Sequence, residues 1–269
     1  MTKIIPIHSF RGGTGKSNTT ANVATAIATM GQRVGIIDTD IQSPGIHILF
    51  NLPPKQIKKT LNDYLWNRCK LQESSYDVTP QAVKSKKGQI LLIPSSMDIA
   101  EISKILRDGY NVKRLQEGLK QVGEQLKLDY LFIDTHPGIN EETLLSLSLA
   151  DTLVILLRPD QQDFQGTAVI VDIARRLNVK RLLLVVNRVP AKFIPDQVKD
   201  QVEKTYQAKV AALLPNSEEM MELASRDLFY LRFPDHVLSQ AYQSIAQQIH
   251  QSPAAEGNNP FKQLFQRRS

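Results

Sequence analysis

A lysine and a hydroxyl stand side by side at the end of a glycine-rich run, Phe10-Arg11-Gly12-Gly13-Thr14-Gly15-Lys16-Ser17-Asn18. Glycines at 12, 13 and 15 let the backbone adopt turns closed to other residues and approach a ligand closely. Their N–H groups can then line a nest for an anion, above all where a helix begins. A lysine in the place of Lys16 reaches the β- and γ-phosphates of a nucleotide, and the Ser17 hydroxyl ligates Mg²⁺. Thr14 and Asn18 complete the stretch expected to touch the nucleotide. The usual pattern, G-x-x-x-x-G-K-[ST], wants glycine where this chain has Phe10.

The elements that must position this loop are legible in the apolar runs. "KIIPIHSF" (3–10) reads as a strand ending at the glycines, and "SNTTANVATAIATMG" (17–31) reads as a helix stopping at Gly31, a C-cap. "RVGIIDTD" (33–40), "QILLIPSS" (89–96), "DYLFIDTHPG" (129–138), "DTLVILLRPD" (151–160), "RLLLVVNRVP" (181–190) and "KVAALLP" (209–215) repeat the strand theme, with helical segments between them. Near-continuous apolar strands alternating with helices predict an α/β fold, a doubly wound, mainly parallel sheet. The nucleotide is expected at the carboxyl edge of its strands. Residues 51–88 are more polar and read as a surface insertion, with a helix near "TLNDYLWNRC". The domain is expected to span 1–250, followed by a linker at 251–260 and a short segment at 261–269.

The run "RGGTGKS" resembles the deviant Walker A loop, KGGxGK[ST], of the MinD/ParA family of P-loop ATPases. That family does not keep the first glycine, so Phe10 ceases to be an obstacle. The resemblance covers residues 1 to about 250, and further motifs fall in order. "IIDTDIQSPG" (36–45) is similar to the family's D-x-D motif. The resemblance implies that Asp40 positions the attacking water and that Asp38 supports the Mg²⁺ shell or the loop lysine. "YLFIDTHPG" (130–138) is similar to Walker B followed by a switch segment. Its apolar positions carry Asp134 to the sheet edge, where a carboxylate can hold Mg²⁺ through water. His136 admits an acid–base role, or a structural or dimer role as a loop residue. "LLLVVNRVP" (182–190) resembles the family's adenine-side strand. Asn187 has the donor and acceptors that suit the adenine edge, and Arg188 can stack on the base or face solvent. "LLPNSEEMMEL" (213–223) resembles the late loop whose proline, here Pro215, packs beside the base.

At position 11 the family carries a lysine that reaches across an ATP-sandwich homodimer to the partner's phosphates. Arg11 keeps the charge and adds a planar fork of donors. The expectation is a contact in trans; a salt bridge within its own chain, or a dimer that closes differently, are the alternatives.

In "FKQLFQRRS" (261–269), Phe261, Leu264 and Phe265 fall at i, i+3 and i+4, with Lys262 beside them. The segment is similar to the membrane-targeting tail of MinD-like members. Burying three such side chains gives roughly 5–9 kcal/mol gross, against about 1.5 kcal/mol for each of about eight residues ordered. Each basic residue near anionic lipid returns about 1 kcal/mol. One tail is marginal; two on a dimer need not be.

The 269 residues include one cysteine, Cys69, which excludes an intrachain disulfide and a cysteine-held iron–sulfur cluster. The start of the chain has no signal-peptide pattern, and no apolar run approaches the roughly 18 residues that span a bilayer. A cytoplasmic protein with reversible peripheral membrane association is expected. The net charge of +6 favours acidic partners. The resemblance therefore implies an ATP- and Mg²⁺-dependent enzyme. It would dimerise on ATP, bind an anionic membrane surface and be released when an activating partner protein stimulates hydrolysis. The alternatives are a ParA-like ATPase that binds DNA non-specifically through "KQIKK", "KSKK" and "RRLNVKR", and an ATP-sensing scaffold with little turnover.

Overall fold

Three β-branched isoleucines in six residues make Lys3–His8 an extended strand, β1, even though Pro6 in its middle has no N–H to donate. In the computed structural model, which describes residues 1–251, β1 sits at the centre of an eight-stranded sheet. The chain continues through α1 (Lys16–Ala28), β2 (Arg33–Asp38), α2 (Ile46–Leu49), α3 (Leu61–Leu65), β3 (Tyr76–Asp77), α4 (Gln81–Lys84) and β4 (Gln89–Ile93). Next come α5 (Ile99–Asp108), α6 (Val112–Gln125), β5 (Tyr130–Asp134), α7 (Glu141–Ser148), β6 (Leu153–Leu157) and α8 (Gln161–Arg176). β7 (Leu182–Val189), α9 (Pro195–Tyr206), β8 (Lys209–Pro215), α10 (Glu218–Leu223), α11 (Phe229–Arg232) and α12 (Val237–His250) complete it. The expected tail residues Phe261, Lys262, Leu264 and Phe265, and the linker beyond Gln251, lie outside the described residues.

The strand order is β3-β4-β2-β5-β1-β6-β7-β8, and every pairing is parallel except that of β3 with β4. β5 and β6 flank β1, so the winding reverses around it, which is where such sheets open a crevice at their carboxyl edge.

Burial explains the near-continuous apolar runs. Ile5, Ile7, Val34, Ile36, Ile90, Leu92 and Phe132 point to one face, under α1 and α12. Their neighbours Ile37, Leu91, Ile93, Leu131 and Ile133 pack on the other with Leu115, Leu119 and Val122 of α6. Ile155, Leu157, Leu184 and Val186 continue that face with Ile170 and Val171 of α8. Alternate residues thus serve opposite layers, and neither layer tolerates a polar side. The expected fold class stands.

Two expectations need correction. Residues 51–88 are not a surface insertion. They carry the antiparallel edge strand β3, and Leu52, Leu61, Leu65, Leu71 and Val83 are buried in the main core clusters. Polar spacing between few apolar residues hid this. The C-cap of α1 is Thr29; Gly31 lies two residues on, at φ +83°, in the turn that leads to β2.

Candidate functional site

The loop between β1 and α1 is built for an anion. Gly13 and Gly15 take φ +72° and +94°. α1 begins at Gly15 with no capping side chain and no acidic residue in its first turn. By contrast α3, α6, α7, α8 and α10 each start under a side-chain oxygen, from Thr60, Asn111, Asn140, Asp160 and Ser217. The first N–H groups of α1 are thus left for a ligand, at the positive end of its dipole. Gly15 is also where β7 closes on the loop. Asn187 Nδ2 donates to the Thr14 carbonyl at 2.7 Å, and a Cβ on Gly15 would stand 2.5 Å from that nitrogen. Asn187 is therefore a clamp on the loop, and its Oδ1 accepts the Arg188 N–H. Arg188, in the left-handed region at φ +56°, and Pro215, paired with Val189, lie on the same rim. Asn18 stands half-buried in the first turn of α1.

Carboxylates surround Lys16. Asp38 and Asp134 face each other in register across β2 and β5, both buried. Asp38 accepts the backbone N–H groups of Asp40 at 3.0 Å and Gly45 at 3.2 Å. The Ser17 hydroxyl donates to Asp134, and Thr20 Oγ1 reaches the same carboxylate at 3.3 Å. Burial raises Asp134 to about 6; the Ser17 hydrogen bond and the Lys16 charge hold it from going higher. Burial, then Asp134 and Asp40, raise Asp38 well above the usual carboxylate range. Burial lowers Lys16, against the pull of Asp134, Asp40 and Asp38. Three acids around one buried lysine are short of positive charge. Among the described residues no three His, Cys, Asp or Glu side chains form a metal-binding group by themselves. That donor set fits Mg²⁺, which keeps waters and takes phosphate oxygens, with Ser17 and Asp134 as the protein's share and Asp38 behind them.

Several participants carried no local signal. Thr20 sits one turn after the lysine. His8, at the end of β1, is wholly buried; its Nδ1 lies 2.6 Å from Thr135 Oγ1. The Thr135 hydroxyl donates to the Ile7 carbonyl, so His8 is the donor of that pair. Burial first, and the Lys16 charge second, hold the imidazole down to about 3. Gly138 N–H returns to the Ser9 carbonyl. The segment after Asp134 is thereby tied to the root of the phosphate loop. His136, within that segment, stands 2.7 Å from Asp40.

Phe10 and Arg11 both turn to α8. Arg11 Nη1 lies 3.5 Å from Asp163 and 3.7 Å from Asp160 of its own chain. Of the three arrangements open for Arg11, this is the one within a single chain. The Phe10 side chain fills the notch at Gly166, where an added Cβ would come within 2.1–2.7 Å of it. Gly166→Ala is therefore expected to cost about 2 kcal/mol by overpacking. Phe10→Ala in the same chain should recover at least half of it. Urea unfolding of the two single variants and the double variant measures the coupling. Additive costs would mean that the ring does not rest on Gly166.

A family model described as an AAA domain matches residues 2–185. An uncharacterized ATP-binding protein of Methanocaldococcus jannaschii is 28% identical over 246 residues, 91% of this chain and 86% of the relative. The septum site-determining protein MinD of Bacillus subtilis is 26% identical over 254 residues, 93% of this chain and 89% of the relative. Among solved structures, the septum site-determining protein MinD of Pyrococcus horikoshii, complexed with Mg-ADP, superposes with a TM-score of 0.78 at 21% identity. It covers 93% of this chain and 97% of that one. At that identity the likeness is one of fold.

Proposed function

Because the chain belongs to the AAA domain family and is a MinD/ParA-like P-loop ATPase, we propose that it hydrolyses ATP to switch its hold on a cellular surface, in spatial positioning or partitioning. The observation that carries this reading is the uncapped start of α1, with Lys16 inside a ring of Asp38, Asp40 and Asp134. The amides of 12–15 would hold the β-phosphate and Lys16 the β- and γ-phosphates. Ser17 and Asp134 would hold Mg²⁺, which supplies charge to the leaving and transferred oxygens when bound. Asp40 would orient the attacking water, and the rim of Asn187, Arg188 and Pro215 would flank the base. Little covalent work falls to the protein; placement and charge do most of it.

ATP would join two copies across this face, with Arg11 reaching the partner's phosphates. The dimer would then present two 261–269 tails to anionic lipid. Among the described residues no helix is long and apolar enough to cross a membrane. The competing surface is DNA. The exposed lysines and arginines Lys84, Lys86, Lys87, Arg175, Arg176 and Lys180 lie just before β4 and β7, at the amino edge of the sheet and away from the phosphate loop.

Co-sedimentation with anionic liposomes, for the full chain and a chain ending at Asn258, decides between them. ATP-dependent pelleting that disappears with the tail is the expected result. No pelleting in ATP or ADP, with salt-sensitive DNA binding by both chains, would replace the membrane by DNA.

A further inference from the structure

The backbone of Asp40 is held by Asp38, but its carboxylate has few partners. Its Oδ1 takes a long bond of 3.3 Å from Ser43 N–H and a short one of 2.7 Å from His136 Nδ1. The two side chains are 15% and 22% exposed, so water competes weakly for the short contact. Ser43 belongs to the same loop as Asp40 and cannot fix the carboxylate against the sheet. His136 does so from a different element. It lies two residues beyond Asp134, in a segment anchored by Thr135 to Ile7 and by Gly138 to Ser9. With both bonds on Oδ1, Oδ2 is left as the oxygen that can meet a water.

We propose that His136 is a positioning residue for hydrolysis: its Nδ1–H fixes the Asp40 carboxylate, and it couples the loop after β2 to the segment after β5, so that both answer one terminal phosphate. The inference deepens the ATPase reading and rests on it. It does not make His136 a base. The imidazole acts through Asp40, by geometry alone, as a donor at one defined point.

That point makes the test specific. Asparagine places its amide nitrogen near the position of Nδ1, whereas glutamine places it near that of Nε2. Steady-state ATP hydrolysis by the full chain should fall between about tenfold and a hundredfold in kcat for His136→Ala, with KM for ATP moved less than about threefold. His136→Asn should recover most of the loss and His136→Gln should not. A second readout needs no turnover. The nucleotide-free protein should show a downfield imidazole N–H proton resonance that is absent from both His136→Asn and Asp40→Ala. Unchanged kcat in His136→Ala, equal rescue by asparagine and glutamine, or a KM that moves as far as kcat would overturn the proposal. Lys16→Ala separates the two levels. If the unaltered chain turns over ATP no faster than Lys16→Ala, the ATPase reading itself fails. If it does turn over and His136→Ala matches it, only this inference fails.

Discussion

Asp134→Asn should make the nucleotide- and metal-free protein more stable by about 3 kcal/mol at pH 7.5, and slow its ATP hydrolysis by about a hundredfold or more. The stability gain comes from the charge. Asp134 is buried beside Asp38 and Asp40, and its carboxyl is raised from 3.8 to about 6 in the fold. A group raised in this way favours the folded state below its unfolded value. That benefit is lost as pH climbs through the folded value, so above pH 6 the ionised carboxylate costs about 3 kcal/mol. Asparagine keeps an acceptor for Ser17 and Thr20 without the charge. Its advantage should therefore be complete at pH 7.5 and nearly gone at pH 4, where Asp134 is itself protonated. Urea unfolding at the two pH values measures both. A variant no more stable at pH 7.5, or a difference that ignores pH, would mean that burial does not burden the Asp134 charge. The activity loss has the same origin: the charge that burdens the empty fold is the one that holds the cation and balances Lys16. A site that is costly when empty is stabilised by whatever fills it.

What could be read from the sequence was what is local. The glycine loop, its lysine and serine, and the strand that delivers Asp134 all lie within short windows whose apolar periodicity fixes strand, turn and helix. The missing part is made of contacts between distant segments. Phe10 looked like a defect in a glycine pattern because the notch that receives it, Gly166, is on α8. His136 could be placed in a loop but not against Asp40, since β2 and β5 become neighbours only in the sheet. Asn187 reads as a base-side residue from its amide and from the resemblance of its strand; the bond to the Thr14 carbonyl, which joins β7 to a loop far earlier in the chain, has no signal in either. Residues 51–88 misled for another reason. Their buried leucines are isolated among polar residues and the edge strand is two residues long, so no periodic signal builds up.

Arg11→Ala and Asp163→Ala should separate function from stability, although the two side chains touch. The Arg11 side chain is 40% exposed and reaches Asp163 and Asp160 only at 3.5 and 3.7 Å. With the arginine largely in solvent and both contacts long, these pairs contribute about 0–1 kcal/mol. Asp163 is 2% exposed and accepts the Arg158 backbone N–H at 2.9 Å and its Nε at 3.1 Å. Removing it leaves the Arg158 amide without its acceptor and the guanidinium with Asp160 alone, at a cost of about 2 kcal/mol. Arg11→Ala is thus expected to leave urea unfolding within about 0.5 kcal/mol of the unaltered chain, and Asp163→Ala to lower it by several times that amount. Dimerisation should rank them the other way. Light scattering with ATP should show Arg11→Ala as a monomer, while Asp163→Ala, at a temperature where it is folded, still dimerises. A cation held this loosely can leave its own chain at little cost. A charged hydrogen bond to a phosphate, worth about 1.5–3 kcal/mol, is enough to draw it away. Dimers of Arg11→Ala in ATP would instead make the contact with α8 its final position and assign closure of the pair to other residues.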